Sequence, residues 1–523
     1  MKDQLLHWAF LLVAGLALVS CGGDDAGDDT PTPPTPPTPP SPSQKWSVTV
    51  NAGIETTRGL SLDGSTLSVS WQTSETVYAY YEGSLVGVLH PSANSDNGSV
   101  TLTGDFDTAG YTVGGSFTLK FPRQTTDYTG QAGTIEDIAE KYDYLEATPS
   151  ITAINADTRT LTVSTASFSS QQAIVKLTFD QALQSGDVIT VTGVPDDAAV
   201  TITPGSNIAA GSPVYVALPL SSGGSFYTFG FVVTRSGVDV MDGVLANKPL
   251  QNNRYYGATV PLSDVVNISS ATFSHIGKVI GANGKIYCTV ANAGVNSSAV
   301  ALIAYVGTAG DVETSTSVDA NASTYKGLAL ALTDCSRSNT GSGNWTGTGA
   351  TQPWCDQDHS DEGAMVTCTT QQTTDIATAR GWKNGIGLTS ELRSHASHNH
   401  WVAKAAAGYS VSRPGNTSVW FLPSIGQWQL MLQGLIAKID NLSEPYSGTI
   451  PRYSGEGSGD PKMLSTYFNP VFTNAGATGL RSSNYWSCSE YSSRYTWRVY
   501  FDYGRANYSG KWNNYYVRSA FAF

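Results

Sequence analysis

Apolar and polar residues alternate in Trp46-Ser47-Val48-Thr49-Val50, the period of a strand with one face buried. The same period runs through Leu67–Trp71, Thr101–Thr103, Ala173–Phe179 and Phe229–Val233. Turn dipeptides punctuate the stretch at Asp63-Gly64, Asn97-Gly98, Gly114-Gly115 and Gly223-Gly224. Short strands with such turns predict an all-β sandwich over residues 44–262, in two packed units divided near 150. One helical turn is expected at Ile135–Ala139. After Asp264 the pattern changes. Ala301–Val306 and Gly327–Leu332 are continuous apolar runs, as in buried strands. From Trp428 to Ile439 the apolar residues Leu430, Leu432, Leu435, Ile436 and Ile439 follow helical spacing, and Pro423-Ser424 supplies a start signal. Period two returns at Tyr495–Tyr503, with Trp497, Val499 and Phe501 expected inside and Arg498, Tyr500 and Asp502 outside. The expected fold is therefore multidomain, an all-β sandwich followed by an α+β region over 264–523.

The first residues read as an address. Lys2 precedes an apolar run from Leu5 to Val19, shorter than the ~20 residues of a membrane-spanning helix. The run ends in Leu18-Val19-Ser20-Cys21, which resembles a bacterial lipobox. Residues 1–20 would be the signal peptide and Cys21 the lipidated first residue; a plain secretory signal is the alternative. Residues 21–43 form a tether. Asp24, Asp25, Asp28 and Asp29 make a solvated run that resembles the export tag of surface lipoproteins, or a simple spacer. Pro31 to Pro42 holds eight Pro in twelve residues, the composition of a stiff polyproline stalk. At ~3.1 Å per residue it would hold the folded part roughly 35–40 Å from the lipid. The expected place is the bacterial outer membrane, anchored through lipid and exposed at the cell surface.

Composition narrows function by exclusion. Charged residues are 14% of the 523 and the net charge is −13, so a basic grip on nucleic acid is excluded. The chain holds 26 Tyr and 12 Trp, ample material for real cores.

Residues 44–262 resemble the fimbrillin-like lipoproteins of Bacteroides-type fimbriae. The resemblance rests on Thr57-Arg58, on Trp71 with Val77-Tyr78-Ala79-Tyr80, and on Tyr128-Thr129-Gly130-Gln131-Ala132-Gly133-Thr134 followed by Tyr142-Asp143-Tyr144. Phe168 and Gln172–Leu177 complete it. It implies a transthyretin-like or immunoglobulin-like β fold, a structural role and fimbrial subunits as partners. It transfers no catalytic residue.

The last 39 residues, Tyr485 to Phe523, hold eight Tyr, three Trp, four Arg and six Ser. Tyr and Trp give large contact area at low entropic cost, while Ser, Asn and Gly adapt, so the mixture is that of a recognition surface. A Tyr-rich strand pair packed inside the fold is the alternative. The region also resembles a C-type-lectin-like domain of the kind diversified by retroelements in bacteria. Ala282–Tyr287, Ala301–Gly307, Leu328–Asp334, Trp420–Trp428 and Tyr485–Glu490 carry this resemblance, with Trp497, Phe501, Gly504, Lys511, Val517 and Arg518. Cys488 stands where Ser is commoner. The resemblance implies a ligand-facing set of Tyr491, Ser493, Arg494, Tyr495, Arg498, Tyr500, Asp502, Tyr503, Arg505, Asn507, Tyr508, Ser509, Trp512, Asn513, Asn514 and Tyr515. Most of these can be reached by adenine-directed mutation of an Asn codon; Trp512 cannot.

Candidate chemistry is sparse. With Cys21 lipidated, five Cys remain, and no Cys-x-x-Cys exists. Cys335–Cys355 or Cys355–Cys368 could staple the loop from Ser336 to Met365; free buried thiols are the alternative. His395, His398 and His400 read as chance residues of a polar surface loop rather than metal ligands. Asp356, Asp358, Asp361 and Glu362 lack the spacing of a calcium loop. No catalytic residue, metal site or cofactor is expected. The expected function is an adhesin or receptor for a protein or glycan at the cell surface. A fimbrial tip or accessory subunit is the alternative, and an enzyme of the formylglycine-generating type a remote one.

Overall fold

The computed structural model describes residues 45–523 apart from 55–60, 64–65, 69–70, 96–97, 123, 222–223, 336–350, 356–382, 395–399, 448–451, 454–463 and 502. Cys21, the acidic run, the Pro-rich stretch, Thr57-Arg58, the acidic residues from Asp356 to Glu362, Cys368, His395, His398 and Asp502 lie outside the described residues.

The first strand, Trp46–Ile54, turns Val48, Val50 and Ala52 inward and leaves Thr49 and Asn51 exposed. It pairs antiparallel with Val100–Phe106 on one side and parallel with Thr160–Val163 and Ala166–Ser170 on the other. The sheet therefore closes on itself around a core that includes Trp71, Phe106, Phe117 and Phe168. Trp71 is fully buried, meets Phe121 and Phe168 edge-on at 5.6 and 5.7 Å, and donates from Nε1 to the Gly98 carbonyl at 3.2 Å.

A second core lies between a three-stranded sheet centred on Gln172–Phe179 and a six-stranded sheet that includes Ser225–Arg235 and Val238–Leu250. The expected division near 150 is corrected here. Tyr128–Tyr144 packs into the second core, whereas Leu145–Phe168 returns to the first. Two buried glutamines explain the exchange. Gln172 Oε1 accepts from the Tyr128 hydroxyl and from Tyr144 N–H, while its Nε2 donates to Asp143. Gln131 exchanges two hydrogen bonds with the Ala217 main chain, at 2.8 and 3.0 Å. An amide buried at 0% exposure must be satisfied, and only the second sandwich offers these partners. The helical turn is present at Ile135–Asp137, capped by Thr134, and continues as a wider turn over Ile138–Tyr142.

Lys45–Phe523 is one compact unit, and polar bonds join its β and α+β parts. Asp239 accepts from the Tyr287 hydroxyl and from Asn296 Nδ2, both at 2.6 Å. Asp242, fully buried, accepts from Cys288 N–H at 2.5 Å and Asn292 Nδ2 at 2.9 Å. Gly230 lets Asn292 approach, since a Cβ there would lie 1.8 Å from Asn292 Oδ1.

The C-terminal region is α+β. One sheet runs in the order Ile286–Tyr287, Val279–Gly281, Ala299–Val306, Gly327–Ala331, Ala520–Ala522. The helix Ile425–Ile439 starts at Ser424, whose hydroxyl accepts from Gln427 N–H while Gln427 reaches back to Ser424 N–H. The helix is buried nearly all round because it lies between two sheets. Gly434 approaches the Ala304 carbonyl so closely that a Cβ would lie 2.2 Å from it, and Trp428 meets Phe501 of the second sheet at 5.5 Å.

Candidate functional site

The second sheet of this region carries the Tyr-rich segment. Asn484–Glu490 pairs antiparallel with Tyr495–Tyr500, which pairs antiparallel with Arg505–Gly510. Trp497, Val499 and Phe501 are fully buried against the long helix and its neighbours. Gly504, at φ +60°, makes the turn into the next strand.

Register decides which residues meet. Arg498 faces Asn507 and Tyr500 faces Arg505, so these four share the side opposite Trp497. That side is roofed at one end by a second core containing Trp354, Leu388, Val402 and Trp486. Beyond the roof it is open, and Arg498, Tyr500, Tyr503, Arg505 and Asn507 line a cleft of about 220 Å³. The Arg498 guanidinium lies at the roof's edge, 4.9 Å from the Tyr515 ring centre and 5.7 Å from that of Tyr500. Its Nη1 donates to Asn484 Oδ1, and its Nε is buried without an acceptor. Burial pulls its pKa below the usual guanidinium value, but the group stays charged at neutral pH. A donor left so costs roughly 1–3 kcal/mol.

Tyr508 faces Trp497, on the other side of the sheet. It stacks on Tyr491 at 4.0 Å and 8°, and Tyr495 and Trp512 continue the cluster. The candidate set thus divides into an arginine cleft on one side, where Arg498, Tyr500, Arg505 and Asn507 interleave, and an aromatic cluster at the sheet's end. Within the set, Tyr503 and Trp512 are half exposed, at 50% and 48%, and Arg494 and Asn514 are exposed. Ser493, Asn513 and Tyr515 are half-buried. Ser509 is buried and bonds the Tyr515 hydroxyl at 3.1 Å and Asn513 Nδ2 at 2.9 Å, so it supports the face from below.

Among the supporting residues, Asn484 and Arg481 escaped the sequence reading, whereas Asp334, Tyr485, Glu490, Lys511 and Arg518 lie in the framework stretches it named. Asn484 holds Arg498, and Arg481 covers the Tyr516 ring at 5.2 Å. Asp334 accepts from Arg518 Nε at 2.8 Å and from the Tyr485 hydroxyl at 3.0 Å, tying the sheet to Gly327–Ala331. Glu490 and Lys511 form an ion pair under the roof, with Lys511 Nζ 4.7 Å above the Trp354 ring.

The cysteine and histidine expectations change. Cys335 is a free buried thiol bonded to Ser519 Oγ at 3.0 Å, so the Cys335–Cys355 bridge is not formed. Cys355 is buried, and Cys368, its other candidate partner, lies outside the described residues. Burial pushes the Cys335 thiol up to about 11 and the Cys288 thiol up to about 12, and raises Cys488 well above its ordinary value. His400 is not on a surface loop. It is buried edge-on to Trp354 at 5.0 Å, with Nδ1 3.0 Å from the Leu392 carbonyl, because it leads directly into the packed helix Trp401–Ala407. Among the described residues no group of three or more His, Cys, Asp or Glu is placed to hold a metal ion. No helix among them is long and apolar enough to cross a membrane.

No family model matches the chain, and no curated protein matches it. Among solved structures, a fimbrial protein from Bacteroides ovatus is similar over 92% of this chain and 99% of its own, at 11% identity and a TM-score of 0.26. The fimbrial anchor protein Mfa2 from Porphyromonas gingivalis is similar over 38% of this chain and 81% of its own, at 10% identity and a TM-score of 0.20. The tip fimbrial protein Mfa3 from the same organism is similar over 42% of this chain and 99% of its own, at 11% identity and a TM-score of 0.19. These neighbours are fimbrial proteins.

Proposed function

We propose that the chain is a lipid-anchored surface protein of the bacterial outer membrane that binds a protein or glycan through its C-terminal face. One observation carries the reading. Half-buried and exposed Tyr, Trp and Arg side chains, in contact with one another, stand on and beside strands that bury Trp497, Val499 and Ala506 fully. Rigid aromatic anchors beside polar groups on a fixed scaffold are what a binding surface needs. In this reading the C-terminal region is C-type-lectin-like and open to retroelement diversification, and the fimbrillin-like β region is a spacer. The protein acts by complementarity, without a cofactor or a reaction. Three thiols raised by burial suit that reading, since thiol chemistry needs a depressed pKa.

The test is binding of the full chain to glycan and peptide arrays. Trp512→Ala and Tyr503→Ala are expected to keep stability within about 0.5 kcal/mol of the parent. If either is an anchor, its loss costs ~2 kcal/mol of affinity. An array on which no signal depends on these side chains would overturn the reading. For the anchor, Cys21→Ala is expected to abolish acyl labelling in cells and release the protein from the membrane. Unchanged labelling would remove the lipid from the proposal.

A fimbrial tip or accessory role, with fimbrial subunits as partners, is the second reading. The strand Ala520–Ala522 belongs to the scaffold in this reading. Ala520–Ala522 is already paired with Leu328–Leu330, and Phe523 packs on Gly327, so this segment is occupied within its own domain.

A further inference from the structure

The open side of the C-terminal sheet gathers two guanidiniums on a chain whose net charge is −13. The Arg498 guanidinium contacts two rings, those of Tyr515 and Tyr500, which restrain it. Asn484 takes one donor, and the buried Nε has no acceptor. Arg505 lines the same cleft, its guanidinium 5.7 Å from the Tyr503 ring centre. The guanidinium end that lines the cleft is a planar, charged donor group of the kind that pairs with a carboxylate. Among the described residues, the remaining walls are the Tyr500 and Tyr503 rings, 4.8 Å apart at 60°, and the Asn507 amide.

We propose that this cleft takes a single carboxylate carried on a pyranose ring, an acidic sugar residue of the uronic-acid class. The inference rests on the reading of this face as a binding surface. Size supports one ring. The cleft of about 220 Å³ is smaller than the ~300–1,000 Å³ of sites for larger ligands. The tyrosine rings offer apolar walls to the carbon face of a sugar, and the Asn507 amide can both donate to and accept from its hydroxyls. An acidic peptide side chain would fill the arginine end and leave the tyrosine walls bare. A polyanion would be repelled by the acidic remainder of the chain, whereas one carboxylate is repelled least.

The full chain is titrated with methyl β-glucuronide, methyl β-glucoside and a blocked glutamate amide at one ionic strength, read by ligand-observed NMR. The glucuronide is expected to bind, with the glucoside and the glutamate each weaker by roughly tenfold or more. Arg498→Lys keeps the charge and removes the fork, and is expected to weaken the glucuronide by about tenfold. Arg505→Gln, at a half-buried position, gives a second variant should Arg498→Lys fail to fold, and is expected to weaken it several-fold. Equal binding of glucuronide and glucoside, tighter binding of the glutamate, no binding of the glucuronide, or full affinity in both variants would each overturn the inference. If the glucuronide fails while Trp512→Ala or Tyr503→Ala still abolishes an array signal, the carboxylate inference falls and the binding surface stands. If no array signal depends on those side chains either, both fall.

Discussion

Lys511→Met is expected to destabilise the protein by about 3–5 kcal/mol, because it leaves the Glu490 carboxylate buried without its cation. The two side chains are 1% and 2% exposed, and Lys511 Nζ donates to Glu490 Oε1. The lysine cannot swing away to let water in. Its N–H donates to the Arg494 carbonyl, its own carbonyl accepts from Trp354 N–H, and its ammonium lies over the Trp354 ring. Glu490→Gln alone should cost a similar amount by stranding the ammonium. The double variant should recover most of the loss, since two neutral side chains leave no charge to desolvate. Denaturant unfolding of the four proteins closes the cycle. A single-variant cost near 0.5 kcal/mol, the size of an exposed pair, would show that water reaches the pair and that the roof over the sheet is open. Neither Glu490 nor Lys511 is among the residues lining the cleft. Binding should therefore fall only in step with the unfolded fraction if Lys511 supports the scaffold without touching ligand.

Much of this arrangement was legible in the sequence, and its limits are physical. The alternation at Trp497, Val499 and Phe501 is local, because successive strand residues point to opposite sides whatever the partner strand. The start of the long helix at Ser424 was equally local, since a cap acts within one turn. The division of the tyrosines needed register. Tyr508 joins Tyr491 rather than Tyr500 because it pairs with Trp497, and a slip of one residue would have moved it to the arginine side. The exchange of Tyr128–Tyr144 between sandwiches depends on Gln131 and Gln172, whose partners lie up to 86 positions away. His400 looked like a loop residue because the residues before it in sequence are polar. Its neighbours in space are Trp354 and the Leu392 carbonyl. The Arg498 cleft was half visible. Composition pointed to the residues, but only the fold places Asn484 and Tyr515 on either side of the guanidinium.

Trp497→Ala and Tyr500→Ala, measured as a pair, separate the scaffold from the face it carries. Trp497 is fully buried and meets Tyr491 and Tyr508 edge-on at 5.9 and 6.4 Å. Emptying that site is expected to cost ~3–5 kcal/mol, the transfer term plus the cavity left in a region held by strands on both sides. Tyr500 is half-buried at the open end of the same strand, against Tyr503 at 4.8 Å and under the Arg498 guanidinium. Its truncation removes an aromatic contact and a cation–π contact at a partly solvated place, about 1 kcal/mol in all. Thermal melts of both variants read the first difference, and binding of the array ligand or the glucuronide reads the second. Tyr500→Ala should melt near the parent and lose affinity by ~2 kcal/mol or more if it is a wall of the site. Trp497→Ala should lose stability first and lose binding only as it unfolds. Equal melting losses would mean that Tyr500 belongs to the core and that the open side of the sheet is covered. A stable Tyr500→Ala that still binds would shift recognition to the Tyr491, Tyr495, Tyr508 and Trp512 cluster on the other side.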